Sequence, residues 1–183
     1  MALKATIFKA DMQINDSCRN YYDFHSLTVA QHPSETDERL MIRLSAFAFF
    51  ADENLKFTKG LSAEDEPEIW IKDLSGGIRL WVEFGQPDER RIKKACGKSD
   101  HVAVICYGRT GQPWWEKTKA KLDLMDNLSV YYFNVDDTEV LKSMVSRTMN
   151  MQFSIDDSYI YLTCNDKTAG IEIESWKDAA ADM

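Results

Sequence analysis

The segment His101–Tyr107 limits the architecture of this chain more than any other. Its interior, Val102-Ala103-Val104-Ile105-Cys106, is apolar without a break. Side chains on a strand alternate between two faces, so such a run fits a strand covered on both, the habit of strands with parallel neighbours. The surrounding sequence supplies the helices that the covering requires. Pro87 can open a helix with Asp88 and Glu89 in its first turn, Lys93 and Lys94 in its last, and Gly97 just beyond. Further helices are predicted near residues 113–126 and 137–148, with a strand over 128–134 between them. A mixed α/β sheet is the resulting expectation, in one domain of 183 residues.

Upstream, Ser34 is placed to cap a helix over about residues 34–52, with Glu35, Asp37 and Glu38 at its positive end. Leu40, Leu44, Phe47 and Ala48 form its core stripe, and Glu35, Arg39 and Arg43 recur at four-residue spacing on another face. The ends of the chain read as strands. Leu3–Ile14 and Tyr22–Val29 predict one hairpin, and Met151–Ile155 with Tyr159–Cys164 another, pairing Phe153 with Leu162 and Ile155 with Ile160. Ile171–Glu174 is a last short strand, and the terminal strands are expected to form a small second sheet.

Thirty acidic against 22 basic residues give a net charge of -8, so a nucleic-acid partner would need a local basic patch. The longest apolar run, Ala46–Ala51, is far below the roughly 18 residues of a membrane span. Met1–Phe8 lacks the pattern of a signal peptide, and Cys18, Cys96, Cys106 and Cys164 show no CxxC spacing. A cytoplasmic protein with free thiols is the expectation. His25, His32 and His101 have no metal-ligand spacing, and no GxSxG, Walker or GxGxxG motif occurs. Trp114-Trp115 reads as packing rather than a base-stacking platform.

The chemical signal lies in the central hairpin. Glu68–Asp73 and Ile78–Phe84 alternate on either side of Ser75-Gly76-Gly77. Matching apolar faces sets Ile69 against Val82, Ile71 against Leu80, Trp70 against Trp81, and Glu68 against Glu83. A register slipped by two residues would relieve a Lys72–Arg79 clash and leave the two acids diagonal on one face. Directly opposed Cβ atoms lie about 5 Å apart. Two carboxylates at that spacing repel unless a proton or cation joins them, and Mg²⁺ is a natural occupant. The alternative is a pair of solvated acids on an exposed sheet face. The following helix carries Arg90, Arg91, Lys93 and Lys94, either a phosphate-contacting edge or a solvated face.

At these residues the sequence resembles the YaeQ family of bacterial proteins. The resemblance rests on His32-Pro33-Ser34-Glu35-Thr36, on Asp65-Glu66-Pro67-Glu68 with Trp70, and on the block from Leu80 through Cys96. Met1–Ile7 and Arg147-Thr148-Met149 fit as well. It implies a restriction-endonuclease-like αβββαβ core over about residues 33–135, with a variant PD-(D/E)xK motif and a terminal β-strand annex. By that resemblance Glu68 and Glu83 hold Mg²⁺ or Mn²⁺, and Glu35 or Glu38 lends support from the first helix. The motif's lysine is replaced by Gly85, with Lys94, Lys93 or, in part, Gln86 as substitutes. Phosphate contacts fall to Arg90, Arg91, Lys93 and Gln86. The implied activity is metal-dependent phosphodiester hydrolysis; the alternative is an inactive module that binds nucleic acid or protein.

Overall fold

A computed structural model describes residues 3–59 and 65–180. The fold is mixed α/β, with strands in the hydrogen-bonded order β2-β1-β8-β9-β10-β7-β6-β5-β4-β3, numbered along the chain. The terminal strands are therefore not the separate small sheet that the sequence predicts. The reason lies in β10, which runs Lys167–Lys177 rather than the four residues its alternation suggested, and so continues the ladder. The chain divides into two compact units, Met1–Ala51 with Val135–Ile173, and Asp52–Asn134 with Glu174–Met183.

In the first unit β1 (Thr6–Asp16) and β2 (Tyr21–Gln31) form the N-terminal hairpin. Asp16 braces its turn, accepting hydrogen bonds from the N–H groups of Cys18 and Arg19 at 3.0 and 3.1 Å. β8 (Thr148–Asp156) lies parallel to β1, with Lys9 opposite Thr148, and pairs antiparallel with β9 (Tyr159–Cys164). The C-terminal hairpin has the predicted register, Phe153 opposite Leu162 and Ile155 opposite Ile160. One face of these strands is apolar and buried, from Ala10, Met12 and Ile14 to Met151, Phe153 and Leu162. Helix α1 (Asp37–Phe49) packs against β8, β9 and α4 (Thr138–Ser143). α1 starts later than predicted. Its cap is Thr36, which accepts from the Arg39 N–H at 3.2 Å, because Ser34 is held in a preceding turn by His32 Nδ1 at 2.6 Å. α4 ends at Ser143, short of the predicted 148, since the chain must extend into β8 from Thr148.

In the second unit β3 (Leu55–Phe57), β4 (Ile69–Lys72) and β5 (Ile78–Phe84) run antiparallel, then β6 (Ser99–Tyr107) and β7 (Leu128–Val135) join in parallel. Val102–Cys106 is buried throughout, as its unbroken apolar run required. Helices α2 (Glu89–Cys96) and α3 (Gly111–Leu122) cover one face. Ile92, Ala95, Trp115 and Leu122 meet Trp81, Val102, Val104, Leu128 and Val130 there. Trp176 at the end of β10 stacks on Tyr132, 4.7 Å between ring centres, and on Trp115 at 5.9 Å. The Trp114-Trp115 pair thus serves packing. No helix of the described residues is long and apolar enough to cross a membrane.

Candidate functional site

The β4–β5 hairpin has the register that apolar matching required, with Ile69 opposite Val82, Trp70 opposite Trp81 and Ile71 opposite Leu80. A bulge between Ile71 and Lys72 then shifts Lys72 onto Ile78, which relieves the Lys72–Arg79 clash without slipping the ladder. Lys72 lies over the Trp70 ring at 3.6 Å. Glu68 immediately precedes β4, and its N–H reaches the carbonyl of Val82 at 3.4 Å. The pairing that sets Ile69 against Val82 therefore carries Glu68 to Glu83. Thr58 fixes this approach, its N–H donating to Glu68 O at 2.9 Å and its hydroxyl to Pro67 O.

Both acids are buried, Glu68 at 5% exposure and Glu83 at 4%. The solvated-face alternative is thereby excluded. Glu83 shares its face with Trp81, under the cover of α2. Glu83 Oε1 accepts from the Trp81 indole N–H at 2.7 Å and from Arg91 Nε at 2.9 Å. Burial pushes the Glu83 carboxyl above its usual range, and the neighbouring Glu68 charge adds to the rise. The indole and the guanidinium oppose it. Glu68 Oε2 is buried and accepts no hydrogen bond.

The cations of α2 separate into distinct roles. Arg91, at the first turn, is 31% exposed, pairs with Glu83 and donates to Glu66 O at 2.9 Å. Lys94 is on the surface, paired with Asp65, which Lys98 also approaches at 3.7 Å. The chain thus brings Arg91 to the acids, where the motif resemblance pointed to Lys94. Arg90 and Lys93 are exposed on the same helix, and Gln86 donates to the Thr110 hydroxyl. Glu35 belongs to the first unit. Buried at 8%, it takes Arg43 on both oxygens at 2.6 and 2.8 Å and Arg39 at 3.0 Å. That engagement makes it the core of an ion cluster. Glu38 is half-buried on α1.

Two facing carboxylates are hard oxygen donors, which suits a Mg²⁺ or Mn²⁺ ion that keeps most of its water. They do not build an all-protein cage: among the described residues no group of three or more His, Cys, Asp and Glu converges to hold a metal. The donor set therefore fits an ion completed by water and substrate oxygens. A separate concavity of about 710 Å³ lies in the first unit, lined by Asp11, Gln13, Phe24, Asn150, Gln152 and their neighbours. Among the described residues no lysine or arginine lines it, and none of the predicted site residues is there.

Sequence reasoning missed the two donors on Glu83. The indole was readable in principle, since Trp81 sits two positions away on the same strand face. Arg91 was not, because its reach depends on how the turn at Gly85 aims α2.

The chain matches the family described as "YaeQ protein" over residues 1–173. It is 46% identical over 178 residues to "Uncharacterized protein YaeQ" of Salmonella typhi, spanning 97% of this chain and 98% of that one. The counterpart of Escherichia coli (strain K12) is 44% identical over the same span. The crystal structure of YaeQ protein from Xanthomonas axonopodis pv. citri superposes with a TM-score of 0.90 at 42% identity, covering 97% of this chain and 99% of that one. The YaeQ protein from Pseudomonas syringae gives 0.87 at 27%, covering 95% and 97%. The short motifs around Glu68 and Glu83 thus sit inside a likeness that runs almost from end to end, and the chain belongs to the YaeQ family.

Proposed function

We propose that the Glu68–Glu83 pair is the metal site of a variant PD-(D/E)xK centre on a restriction-endonuclease-like core, and that it hydrolyses phosphodiesters of nucleic acid. One observation carries the reading: two buried carboxylates lie near enough for the charge of one to act on the other, beside the basic helix α2 that sends Arg91 to Glu83. The order α1-β3-β4-β5-α2-β6 supports the core assignment. A bound Mg²⁺ or Mn²⁺ supplies Lewis-acid activation of water and neutralises phosphate charge. Glu68 and Glu83 would hold it. Arg90, Arg91 and Lys93 offer positive charge to the phosphate, a local basic edge on an acidic chain. Arg91 contributes charge and orientation through its planar fork of N–H donors. Four free cysteines support a reducing, cytoplasmic setting.

The test is cleavage of labelled single- and double-stranded DNA and RNA oligonucleotides by the full chain with Mn²⁺ or Mg²⁺. Cleavage should be lost in Glu68→Gln and Glu83→Gln. Undiminished cleavage in both variants, or none in the wild type, refutes hydrolysis at this site. A second reading, a non-catalytic module binding nucleic acid or a protein, is favoured by Gly85 in the lysine position and by the Lys94–Asp65 pair. It predicts oligonucleotide or protein binding that Glu83→Gln leaves intact.

A further inference from the structure

We infer that Arg91 is a resident counter-ion that a divalent cation displaces from Glu83, and that the displaced guanidinium receives the substrate phosphate. Metal entry and phosphate capture are then coupled through one side chain. The inference rests on the reading of Glu68 and Glu83 as metal ligands. Two buried carboxylates on one face repel unless a proton or a positive charge offsets them. In this chain Arg91 sets a positive charge against Glu83, its Nε 2.9 Å from Oε1. That oxygen also accepts from Trp81 Nε1 at 2.7 Å. Both lone-pair directions of this oxygen are filled, and a divalent ion drawn to the Glu83 carboxylate sets its own charge beside the guanidinium, which it repels.

The two donors differ in freedom. Trp81 is 2% exposed and packed among Ile92, Val102 and Val104, so its indole is fixed. Arg91 is 31% exposed at the first turn of α2, and it also donates to Glu66 O, in the segment just ahead of Pro67. It is the donor that can move. Once off Glu83 it stands beside exposed Arg90 and near Lys93, on the edge where a phosphate would arrive. A guanidinium suits that second partner because its planar fork matches phosphate oxygens. Linkage then requires reciprocity: phosphate on Arg91 tightens metal binding by the factor by which metal tightens phosphate binding.

The test reads free Mn²⁺ by its electron paramagnetic resonance signal, titrated against the full chain with and without inorganic phosphate. Arg91→Gln should bind Mn²⁺ about tenfold tighter than the wild type, within the usual span of coupling between sites. Arg91→Lys should stay near the wild type. Phosphate should tighten Mn²⁺ binding severalfold in the wild type and leave it unchanged in Arg91→Gln. If Arg91→Gln binds no tighter than the wild type while Glu83→Gln abolishes binding, the displacement is overturned and the metal site stands. If Glu83→Gln binds Mn²⁺ like the wild type, the metal site itself falls, and the inference with it. Should Arg91→Gln not fold, the wild type decides alone: no tightening by phosphate overturns the coupling.

Discussion

Gly85 stands where the motif implied by the family resemblance carries lysine, and its backbone accounts for the departure. It follows β5 directly, with φ at +82°, and its N–H donates to Ile105 O at 2.9 Å. A Cβ built there meets nothing within 4 Å. Any substitution is therefore limited by the backbone alone and not by packing. An L residue in the left-handed region costs about 1–2 kcal/mol. Loss of glycine's freedom in the unfolded chain returns about 0.4–1 kcal/mol. Gly85→Ala should thus lose about 1 kcal/mol net, and Gly85→Lys about the same because the space is open. Gly85→Asn should lose less, since a short polar side chain tolerates this conformation. For a chain of this size about 1 kcal/mol corresponds to roughly 2–4 °C in melting temperature. Urea denaturation of the three variants gives the comparison directly. Gly85→Ala matching the wild type would refute the backbone argument, and Gly85→Lys falling far below Gly85→Ala would refute the open space.

Glu83 is held above its usual range by burial, so the folded state favours its protonated form. That stabilisation is full below the carboxyl's value in the unfolded chain, about 4.3, and is lost as pH rises through the raised folded value. Glu83→Gln should flatten this decline in urea midpoints measured from acid to neutral pH, and an unchanged profile would sink the assignment. Arg43, 5% exposed and bound to both oxygens of Glu35, should cost about 3–5 kcal/mol when changed to Ala, because a buried charge loses its main partner. The exposed Lys121–Glu89 pair gives the contrast: Lys121→Ala should leave the melting temperature unmoved. Thiol titration should find Cys18 alone reactive in the native chain. Burial pushes Cys96 up to about 11 and Cys106 to about 12 and raises Cys164, so these three should appear only on unfolding.

What could be read in advance depended on period and pairing. The hairpin registers at Ile69–Val82 and Phe153–Leu162 followed from apolar alternation, because a slip by one residue would turn each buried set to solvent. β6 was legible for a different reason, an unbroken apolar run that suits a strand covered on both faces. Helix ends were less so: Ser34 and Thr36 are both competent caps, and only the His32 contact decides between them. The extent of β10 was hidden because Ser175, Trp176 and Lys177 break its alternation. At the candidate site, the burial of Glu68 and Glu83 was foreshadowed by the tryptophans on their face. The partition of cations was not. Arg91 and Lys94 are one turn apart, and which of them reaches Glu83 is a matter of helix placement that no spacing rule contains.

The division of the chain has a consequence for its synthesis. Each compact unit is made of two separate stretches of sequence, so no single truncation yields either of them whole. β1 leaves the ribosome early, but its parallel partner β8 follows only when Thr148 and the residues after it are made. At about 5–20 residues per second the hairpin of β1 and β2 waits for seconds with Met12 and Ile14 uncovered. The second unit waits longer still, since Trp176 is needed to complete the stack with Tyr132 and Trp115. Pairings so distant along the chain must meet their loop-closure cost before any contact rewards it, which slows folding.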